Sequence, residues 1–176
     1  MKIEKLIKSK IREIPNWPKK GVNFKDICPL LEDYQSFKKV IDFLAQPYLE
    51  KKIDKVVGID ARGFIIAAPL AYKLGAGMAI IRKKGKLPPH NVSREYALEY
   101  GSNTIEMHED SIKKGEKVLI VDDVLATGGT MEATLSLVKE LGGEIISVDF
   151  LIELSFLKGR EKLKGYSIRS LALYDS

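Results

Sequence analysis

The sequence predicts a single α/β domain in which a mostly parallel, twisted sheet is flanked by helices. Short, continuous apolar runs, typical of strands buried on both faces, occur at residues 56–59, 78–81, 118–121 and 145–152. Helix-like segments lie between them at residues 64–74 and 130–141. The length of 176 residues is that of one ordinary domain. Alternation of strands and helices at this length predicts parallel pairing with helices on both faces.

The N-terminal part follows a different pattern. Isoleucines recur at helical spacing and stop at Pro15, which predicts an amphipathic helix over residues 2–14. Residues 16–31 mix prolines, a glycine and short apolar groups and are predicted to be irregular. Helical spacing then predicts a second helix over residues 37–48, which Pro47 bends or ends.

Residues 83–109 interrupt the alternation of strands and helices. This polar segment contains Pro and Gly, and it shows period-two alternation around Tyr96, Leu98 and Tyr100. We expect a long excursion built on a hairpin, a form that is typical of an active-site lid.

The charge of the chain permits an anionic partner but does not select one. Lys and Arg number 29 and Asp and Glu 24, which gives a formal net charge of +5. Nucleic acid, a lipid surface and a phosphorylated small molecule are all compatible with that charge. The basic residues are scattered among acidic ones, whereas a nucleic-acid footprint usually shows a basic block or a recognisable module. A small anionic ligand therefore fits at least as well.

The cysteine content and the apolar runs indicate a cytoplasmic protein. Cys28 is the single cysteine, so an internal disulfide is excluded, and the two histidines lack the spacing of a Cys/His zinc site. We expect Cys28 to be an inert, small hydrophobe. The longest mostly apolar stretch, residues 63–72, is too short for a bilayer, which needs roughly 20 residues. The N-terminus also lacks the pattern of a secretory signal.

The most informative segment covers residues 118–130, with the sequence VLIVDDVLATGGT. Four apolar residues predict a buried strand, Asp122 and Asp123 follow at its carboxyl end, and a loop of small residues then opens a helix. In open α/β sheets, ligands bind beyond the carboxyl ends of the strands. This segment is therefore the predicted ligand site.

The loop of this segment has the composition of a phosphate site. Gly128 and Gly129 let the backbone approach a ligand closely, so free amides at the helix start can surround a phosphate together with hydroxyls of the flanking threonines. The glycine patterns of ATPases and of dinucleotide sites are absent from the sequence. Two adjacent carboxylates would repel a phosphate, but they suit the vicinal hydroxyls of a ribose, each of which is a donor. A phosphorylated sugar satisfies both halves of the motif.

The segment resembles the phosphoribosyl pyrophosphate (PRPP) motif of the type I phosphoribosyltransferase family. Further segments occur in that family's order and narrow the resemblance to its adenine-specific members: residues 21–26 with 29–31, 58–64, 82–88, 96–101 and 154–160. The resemblance extends over nearly the whole chain. It implies the family's fold over residues 1–176, with an N-terminal hood at residues 1–32 and a catalytic lid at residues 83–109.

The resemblance also assigns the sugar-binding residues. It gives the 5′-phosphate to Ala126, Thr127, Gly128, Gly129 and Thr130, and the ribose hydroxyls to Asp122 and Asp123. It gives the pyrophosphate to Asp60, Ala61 and Arg62, with Arg82, Lys83 and Lys86 assisting, as residues of the same or a neighbouring subunit. Arg62 is also expected to be catalytic, because fixed donors and a magnesium ion stabilise the charge that develops on the leaving oxygens.

Base recognition is assigned to the hood and to one apolar residue near the C-terminus. The backbone of Asn23, Phe24 and Lys25 would distinguish a 6-amino from a 6-oxo group, with Phe24 and Leu154 on the two faces of the purine. Asn23 and Lys25 depart from the family, in which Val and Arg are frequent. Recognition of the base through backbone atoms tolerates such side-chain changes.

The catalytic proton transfer is assigned to the lid. Hypoxanthine-guanine relatives carry an aspartate at the position of Ala126, which holds the N7 proton of the purine, and alanine cannot do so. The resemblance gives this role to Glu99, which would accept a hydrogen bond or proton as adenine attacks C1′. Tyr96 and Tyr100 would cover the substrate and help to exclude water.

The expected reaction is therefore that of adenine phosphoribosyltransferases, which serve purine salvage by converting adenine and PRPP to AMP and diphosphate. The resemblance implies Mg²⁺ bound mainly through PRPP and water rather than by direct protein ligands. It also implies a homodimer. No nucleic-acid or membrane partner is expected.

Each residue also has an ordinary interpretation. Asp122 and Asp123 alone would cap a helix or be solvated, and Arg62 or Glu99 alone would be a surface charge. The series Lys158, Arg160 and Lys162 is most simply the solvated face of a helix. The order of the motif after a buried strand favours the functional interpretation.

Two alternative functions stay open at this stage. One is a regulator on the same fold that senses PRPP and binds nucleic acid through its positive surface, although no helix-turn-helix module is evident. The other is a 6-oxopurine phosphoribosyltransferase, against which Ala126 argues.

Overall fold

The fold is described here from a computed structural model, which covers residues 2–97 and 102–176. In chain order its helices and strands are α1 (Lys2–Lys10), β1 (Arg12–Pro15), β2 (Asn23–Asp26), α2 (Cys28–Glu32), α3 (Tyr34–Ala45), β3 (Lys55–Ile59), α4 (Arg62–Leu74), β4 (Gly77–Lys83), β5 (Asn91–Ala97), β6 (Ser102–His108), β7 (Lys117–Leu125), α5 (Gly129–Glu140), β8 (Glu144–Leu154) and β9 (Ile168–Tyr174). Short 3-10 turns occupy Gln46–Tyr48, Ser155–Leu157 and Gly159–Leu163.

The central sheet has seven strands in the order β5-β6-β4-β3-β7-β8-β9. Strands β3, β4, β7, β8 and β9 pair in parallel, whereas β6 and β5 add an antiparallel hairpin at one edge. The predicted α/β domain with a mostly parallel sheet is confirmed. Because the parallel strands all run in one direction, their carboxyl ends meet along a single edge.

Strand β7 shows why the sheet is covered on both faces. Its successive side chains point to opposite sides, so Leu119 and Val121 enter one core while Val118 and Ile120 enter the other. The first core is closed by apolar residues of α1, α3 and α4, and the second by those of α5. A continuous apolar run is what a strand between two such layers requires.

The N-terminal prediction is wrong in part. Helix α1 ends at Lys10, and residues 12–15 form β1, which pairs antiparallel with β2 with Ile14 opposite Phe24. The stretch 16–31 is correspondingly less irregular than expected, because it contains β2 and the start of α2. A partner strand further along the chain decided this segment, and helical spacing alone does not reveal such a partner.

The remaining elements lie close to their predicted positions. Helix α3 is followed by the 3-10 turn at Gln46–Tyr48, so the helix ends where Pro47 was expected to end or bend it. The strands are longer than their apolar runs, and β7 continues through both aspartates to Leu125. Strand β9 was not predicted, because its sequence mixes polar and apolar residues at one edge of the sheet.

The predicted hairpin is present at residues 91–108. Its register pairs Asn91 with His108 at the base and Ala97 with Ser102 at the far end. Arg94 of β5 contacts α5, where its Nε donates to Ser136 Oγ at 2.9 Å and its guanidinium pairs with Glu140. Leu98 to Gly101 lie outside the described residues.

Cys28, which was expected to be an inert, small hydrophobe, lies at the surface. It is exposed at the start of α2, and its backbone amide donates to Asp26 Oδ1 at 2.9 Å. A hydrogen bond with the same carboxylate raises the pKa of the Cys28 thiol, which disfavours the reactive thiolate.

Within the described ranges, no helix is both long enough and apolar enough to span a bilayer.

Candidate active site

A loop of small residues connects β7 to α5 and forms a shallow cradle at the sheet edge. Gly128 precedes the first turn of α5 with a φ of 80°, a left-handed conformation that favours glycine. The cradle has a volume of about 80 Å³, and its wall includes Asp122 and residues 124–131. Free amides at a helix start carry partial positive charge, so this geometry suits a phosphate.

The cradle is backed by a second turn, which follows β8. A Cβ atom added to Gly159 would lie 2.1 Å from the carbonyl oxygen of Ala126, and one added to Gly128 would lie 2.5 Å from the carbonyl oxygen of Gly159. No side chain fits at such distances, so the two backbones are in direct van der Waals contact. The shape of the cradle therefore depends on glycine at both positions.

A larger cavity of about 330 Å³ adjoins the cradle and shares Asp122 and Thr130 with it. The cavity brings together predicted site residues from five separate segments: Asp60, Ala61, Arg62, Arg82, Lys83, Tyr96, Asp122, Asp123 and Thr130. Three isoleucines complete the lining: Ile59, Ile81 and Ile105. The predicted phosphate, ribose and pyrophosphate residues thus converge on one continuous site.

The two aspartates are held in different ways. Asp122 Oδ1 accepts a hydrogen bond of 2.9 Å from the backbone amide of Asp123. A Cβ atom at Gly63 would lie 2.7 Å from that same oxygen, so glycine at this position makes room for the carboxylate. Asp123 is 5% exposed, and its Oδ2 lies 2.8 Å from Arg62 Nε. Among the described residues, however, this oxygen has no donor in hydrogen-bond geometry.

The carboxylates of the pair are poised to accept protons or hydrogen bonds. Burial raises the pKa of Asp122 well above its ordinary value, and the neighbouring charge of Asp123 adds to the effect. Burial also raises the pKa of Asp123, although the Arg62 guanidinium opposes the rise. A buried carboxylate beside a half-buried one is unfavourable without donors, and a sugar diol supplies such donors.

The predicted pyrophosphate loop joins β3 to α4 and is anchored to β4. The peptide between Asp60 and Ala61 is cis, and the Asp60 amide donates to the Ile81 carbonyl at 2.9 Å. Arg82 Nε donates to Asp60 Oδ2 at 3.2 Å, and Arg82 Nη1 donates to the Lys86 carbonyl at 3.0 Å. Arg82 is therefore oriented between the loop and the following turn.

The hood reaches the site through Phe24. The Arg62 guanidinium carbon lies 5.1 Å from the centre of the Phe24 ring, while the same side chain pairs with Asp123. Trp17 packs edge-on against Phe24, with ring centres 4.4 Å apart. Arg62 thus connects the predicted base-binding surface with the predicted ribose site.

Lys25 and Asn23 point to other parts of the hood. Lys25 is buried, with its Nζ 3.0 Å from Glu13 Oε2 and 4.4 Å from the centre of the Tyr174 ring. Asn23 Nδ2 donates to the same glutamate oxygen at 2.6 Å. Both side chains therefore fasten β2 to β1 through Glu13.

Leu154, the other predicted base contact, ends β8 and is half-buried. It lies opposite Tyr174 of β9, and the ring of Tyr174 contacts the Lys25 ammonium group. The hood and Leu154 are therefore joined through Tyr174. Lys86 is not part of the cavity wall, and Glu99 and Tyr100 lie outside the described residues.

Arg160 corrects the interpretation of residues 158–162 as a solvated helix face. Its Nε and Nη2 donate to the two carboxylate oxygens of Glu153 at 3.0 and 2.5 Å. Its Nη1 also donates to the Ile168 carbonyl at 3.1 Å. The spacing of charges along the chain could not show that this cation faces a nearly buried carboxylate.

Sequence reasoning also missed roles for two glycines. Gly63 clears space for Asp122, and Gly159 rests on the phosphate loop. Both belong to segments that carry the family resemblance, which is the one signal that pointed to them. Their contacts are with residues distant in sequence, so only the folded chain explains them.

Within the described ranges, no cluster of three or more His, Cys, Asp or Glu side chains is arranged to hold a metal ion. The carboxylates of Asp122 and Asp123 are nevertheless hard oxygen groups of the kind that hydrated Mg²⁺ prefers.

Comparisons with known proteins agree with the geometry. Residues 30–165 match the model of the phosphoribosyl transferase domain. The adenine phosphoribosyltransferase of Geobacter metallireducens is 56% identical over 168 residues, which cover 96% of this chain and 98% of that protein.

Solved structures give the same result. The crystal structure of adenine phosphoribosyltransferase from Thermoanaerobacter pseudethanolicus matches with a TM-score of 0.93 at 50% identity, covering 98% of this chain and 99% of that one. The Saccharomyces cerevisiae enzyme, complexed with an imino-altritol bisphosphate and adenine, matches with a TM-score of 0.91 at 37% identity, covering 97% and 98%. A domain match over most of the chain, and relatives of equal length that share half or more of its residues, show that this chain belongs to the adenine phosphoribosyltransferase family.

Proposed function

We propose that this chain transfers the phosphoribosyl group of PRPP to adenine, giving AMP and diphosphate, and so serves purine salvage. One observation carries the proposal: a cradle suited to phosphate adjoins the cavity that Asp122 and Asp123 line, and the buried Asp123 Oδ2 has an ion pair with Arg62 but no donor in hydrogen-bond geometry among the described residues. Family membership narrows the base to adenine. The residue roles that follow are part of the proposal.

The sugar phosphate is held at two points. The amides and hydroxyls of residues 126–130 bind the 5′-phosphate, which is favoured at a helix start. Asp122 and Asp123 accept hydrogen bonds from the ribose hydroxyls, and the free hydrogen-bonding capacity of Asp123 Oδ2, which has an ion pair with Arg62 but no donor in hydrogen-bond geometry among the described residues, supports this role. Ribose binding then supplies a well-aligned donor to that oxygen.

The pyrophosphate is bound by the loop after β3 and by basic residues near it. Asp60, Ala61 and Arg62 form this loop, with Arg82, Lys83 and Lys86 assisting. Arg62 pairs with Asp123 in the structure, and we propose that it turns to the pyrophosphate when the ribose occupies that aspartate. A guanidinium at the leaving group stabilises the charge that develops in the transition state.

The base lies between Phe24 and Leu154, where apolar faces bury the ring and the backbone of residues 23–25 reads its edge. Adenine bound to the yeast relative supports a base site in this fold. Ala126 lacks the carboxylate that would hold the N7 proton of a 6-oxopurine. Adenine is therefore the preferred base.

The proton transfer belongs to the lid, residues 83–109. We propose that Glu99 accepts the hydrogen bond or proton of adenine as C1′ is attacked, while Tyr96 and Tyr100 cover the site. Tyr96 lines the cavity, which supports its share of this role. Closing the lid excludes water from the sugar centre, which carries positive charge in the transition state.

Mg²⁺ would be bound mainly through PRPP and water, with Asp122 and Asp123 as the carboxylates that would hold its water shell, as is common for this ion. When bound, the ion would stabilise negative charge on the pyrophosphate.

We also propose a cytoplasmic homodimer. An apolar face across α3 and α4 supports dimerisation: Tyr34 and Tyr72 are 69% and 90% exposed, and Ile65 is 44% exposed on the same helix as Tyr72. Exposed apolar surface of this kind marks a protein interface. The absence of disulfides in a chain with a single cysteine is compatible with a reducing compartment.

The test is a base panel with the purified full-length protein. Incubation with PRPP, Mg²⁺ and adenine should yield AMP, and hypoxanthine, guanine and xanthine should be much poorer substrates. Glu99→Gln should lower turnover roughly 10²-fold or more, with little loss of PRPP binding, because its role is in the chemical step. Lack of AMP at micromolar enzyme, together with steep salt-dependent binding to duplex DNA, would instead favour the PRPP-sensing regulator.

A further inference from the structure

The loop of residues 154–159 leads from the end of β8 to the 3-10 turn at Gly159–Leu163 and contacts two of the proposed subsites. Leu154 begins it and belongs to the proposed base site, whereas Gly159 ends it and rests against the phosphate loop. The backbone contact there is close, since a Cβ atom on Gly159 would also lie 2.9 Å from the amide nitrogen of Gly128. A shift of this segment would therefore alter both subsites.

An ion pair joins the two residues that flank this loop. Glu153 directly precedes Leu154 and Arg160 directly follows Gly159, and the two side chains form a two-pronged contact with distances of 3.0 and 2.5 Å. Glu153 is buried and Arg160 is about half exposed, with side-chain exposures of 6% and 45%. Paired guanidinium and carboxylate groups fix direction as well as distance.

Strand β9 adds hydrogen bonds to the Glu153–Arg160 ion pair, which is called the clamp below. Ser170 Oγ donates to Glu153 Oε2 at 2.5 Å, and Arg160 Nη1 donates to the Ile168 carbonyl at 3.1 Å. Both oxygens of the Glu153 carboxylate therefore accept hydrogen bonds from protein donors. The Arg160 cation lowers the pKa of Glu153 against the effect of burial, so the pair is charged at neutral pH.

We infer that Arg160 is a positioning residue, which through Glu153 holds the loop of residues 154–159 against the phosphate cradle and so couples the base site to the 5′-phosphate site. The inference rests on the proposed function, since it names what shapes two of its subsites. Arg160 itself need not touch a substrate. Its loss would loosen the support of the Ala126–Gly128 backbone at one end of the loop and the Leu154 wall at the other.

A second arginine–carboxylate pair, which joins β8 to β9, provides the control. Arg169 of β9 binds Asp149 of β8 with Nε–Oδ2 and Nη2–Oδ2 distances of 3.0 and 2.5 Å. It lies away from the cavity and caps the carbonyl of Leu44 at the end of α3. If Arg160 served stability alone, substitutions at the two arginines would have the same kinetic consequence.

The experiment compares Arg160→Ala, Arg160→Lys and Glu153→Gln with Arg169→Lys in the full-length enzyme. For each variant we would measure the melting temperature, KM for PRPP and for adenine, kcat, and PRPP binding by calorimetry. Arg160→Ala should raise KM for both substrates about tenfold or more, a factor that corresponds to about 1.4 kcal/mol. Arg160→Lys should restore part of this loss, and Arg169→Lys should lower the melting temperature with both KM values unchanged.

A double-mutant comparison tests the coupling between the two residues. Arg160→Ala combined with Glu153→Gln should raise KM no more than either change alone, because both remove the same clamp. Unchanged KM values in active Arg160→Ala enzyme, or equal KM effects in the Arg169→Lys control, would overturn the inference. If Arg160→Ala does not fold, Arg160→Lys decides by the same criterion. Wild-type protein that forms no AMP would instead overturn the proposed function.

Discussion

Asp123 and Asp149 are buried aspartates on neighbouring parallel strands, and they are partnered in opposite ways. Asp149 Oδ1 accepts from Tyr48 and Ser147 at 2.9 Å each, and its Oδ2 accepts from Arg169 at 3.0 and 2.5 Å. Asp123 has Arg62 Nε at 2.8 Å from its Oδ2, but within the part of the chain that the structure describes no donor reaches that oxygen in hydrogen-bond geometry.

The difference fits a structural role for Asp149 and the proposed ligand-binding role for Asp123. Burial raises the pKa of both carboxyls, so both carboxylates are costly to bury. At Asp149, hydrogen bonds from the protein's own donors offset the free-energy cost of burial, and they join β8, β9 and the end of α3. At Asp123 part of the hydrogen-bonding capacity is left for a ligand.

The largest effect should follow Asp149→Ala. This change leaves Arg169 without its carboxylate and leaves Tyr48 without its acceptor, so the free energy of unfolding should fall by about 3–5 kcal/mol. Urea unfolding followed by circular dichroism would measure it. The exposed Lys38–Asp42 pair is the reference, and Lys38→Ala should cost no more than about 0.5 kcal/mol. Equal costs at the two sites would contradict the structural role of Asp149.

Asp123→Asn should have the opposite profile. Loss of the charged acceptor should weaken PRPP binding about 100-fold, because hydrogen bonds to a charged group contribute about 1.5–3 kcal/mol. The melting temperature should stay the same or rise, since a buried charge is removed. Calorimetric titration with PRPP and thermal unfolding would check both halves, and a variant that melts much earlier would place Asp123 among the structural residues.

Gly63→Ala tests whether the position of the aspartate pair matters. The added methyl group would lie 2.7 Å from Asp122 Oδ1 and must displace that carboxylate. We expect KM for PRPP to rise about tenfold, in line with overpacking costs of 1–3 kcal/mol. Gly165→Ala is a control for a glycine substitution, since a Cβ atom there meets nothing within 4 Å, although its positive φ adds local strain. Unaltered PRPP kinetics in Gly63→Ala would show that Asp122 tolerates displacement.

The smallest effect is a pH dependence of stability. The pKa of Asp122 is higher in the folded than in the unfolded chain, so its ionised form destabilises the fold above the folded pKa, and the penalty disappears as pH falls to that of an unfolded aspartate. Asp122→Asn should therefore be more stable than wild type at pH 7, with the gap closing towards pH 4. A gap that widens on acidification would mean that the pKa of Asp122 is lowered instead.

The sequence predicted much of this arrangement and missed a definable remainder. The apolar run before Asp122, the glycines after it and the alternating strands predicted the sheet, its parallel pairing and the position of the site. The boundary of α1 and the existence of β9 were missed, because both depend on partner strands. The sequence also could not distinguish Arg160 from its solvated neighbours, since charge spacing does not show which cation faces a buried carboxylate.

By itself, the sequence determined the fold class and the chemistry of the ligand. Hydrophobic periodicity and glycine placement act locally, and they make a glycine-rich turn with two acids at a strand end the natural place for a sugar phosphate. The tertiary structure alone decided how residues distant in sequence meet: Gly159 against the loop before α5, Arg62 between Phe24 and Asp123, and Tyr48 and Arg169 at Asp149. Such contacts depend on how the strands and helices pack together, and a linear pattern of residue types does not contain that information.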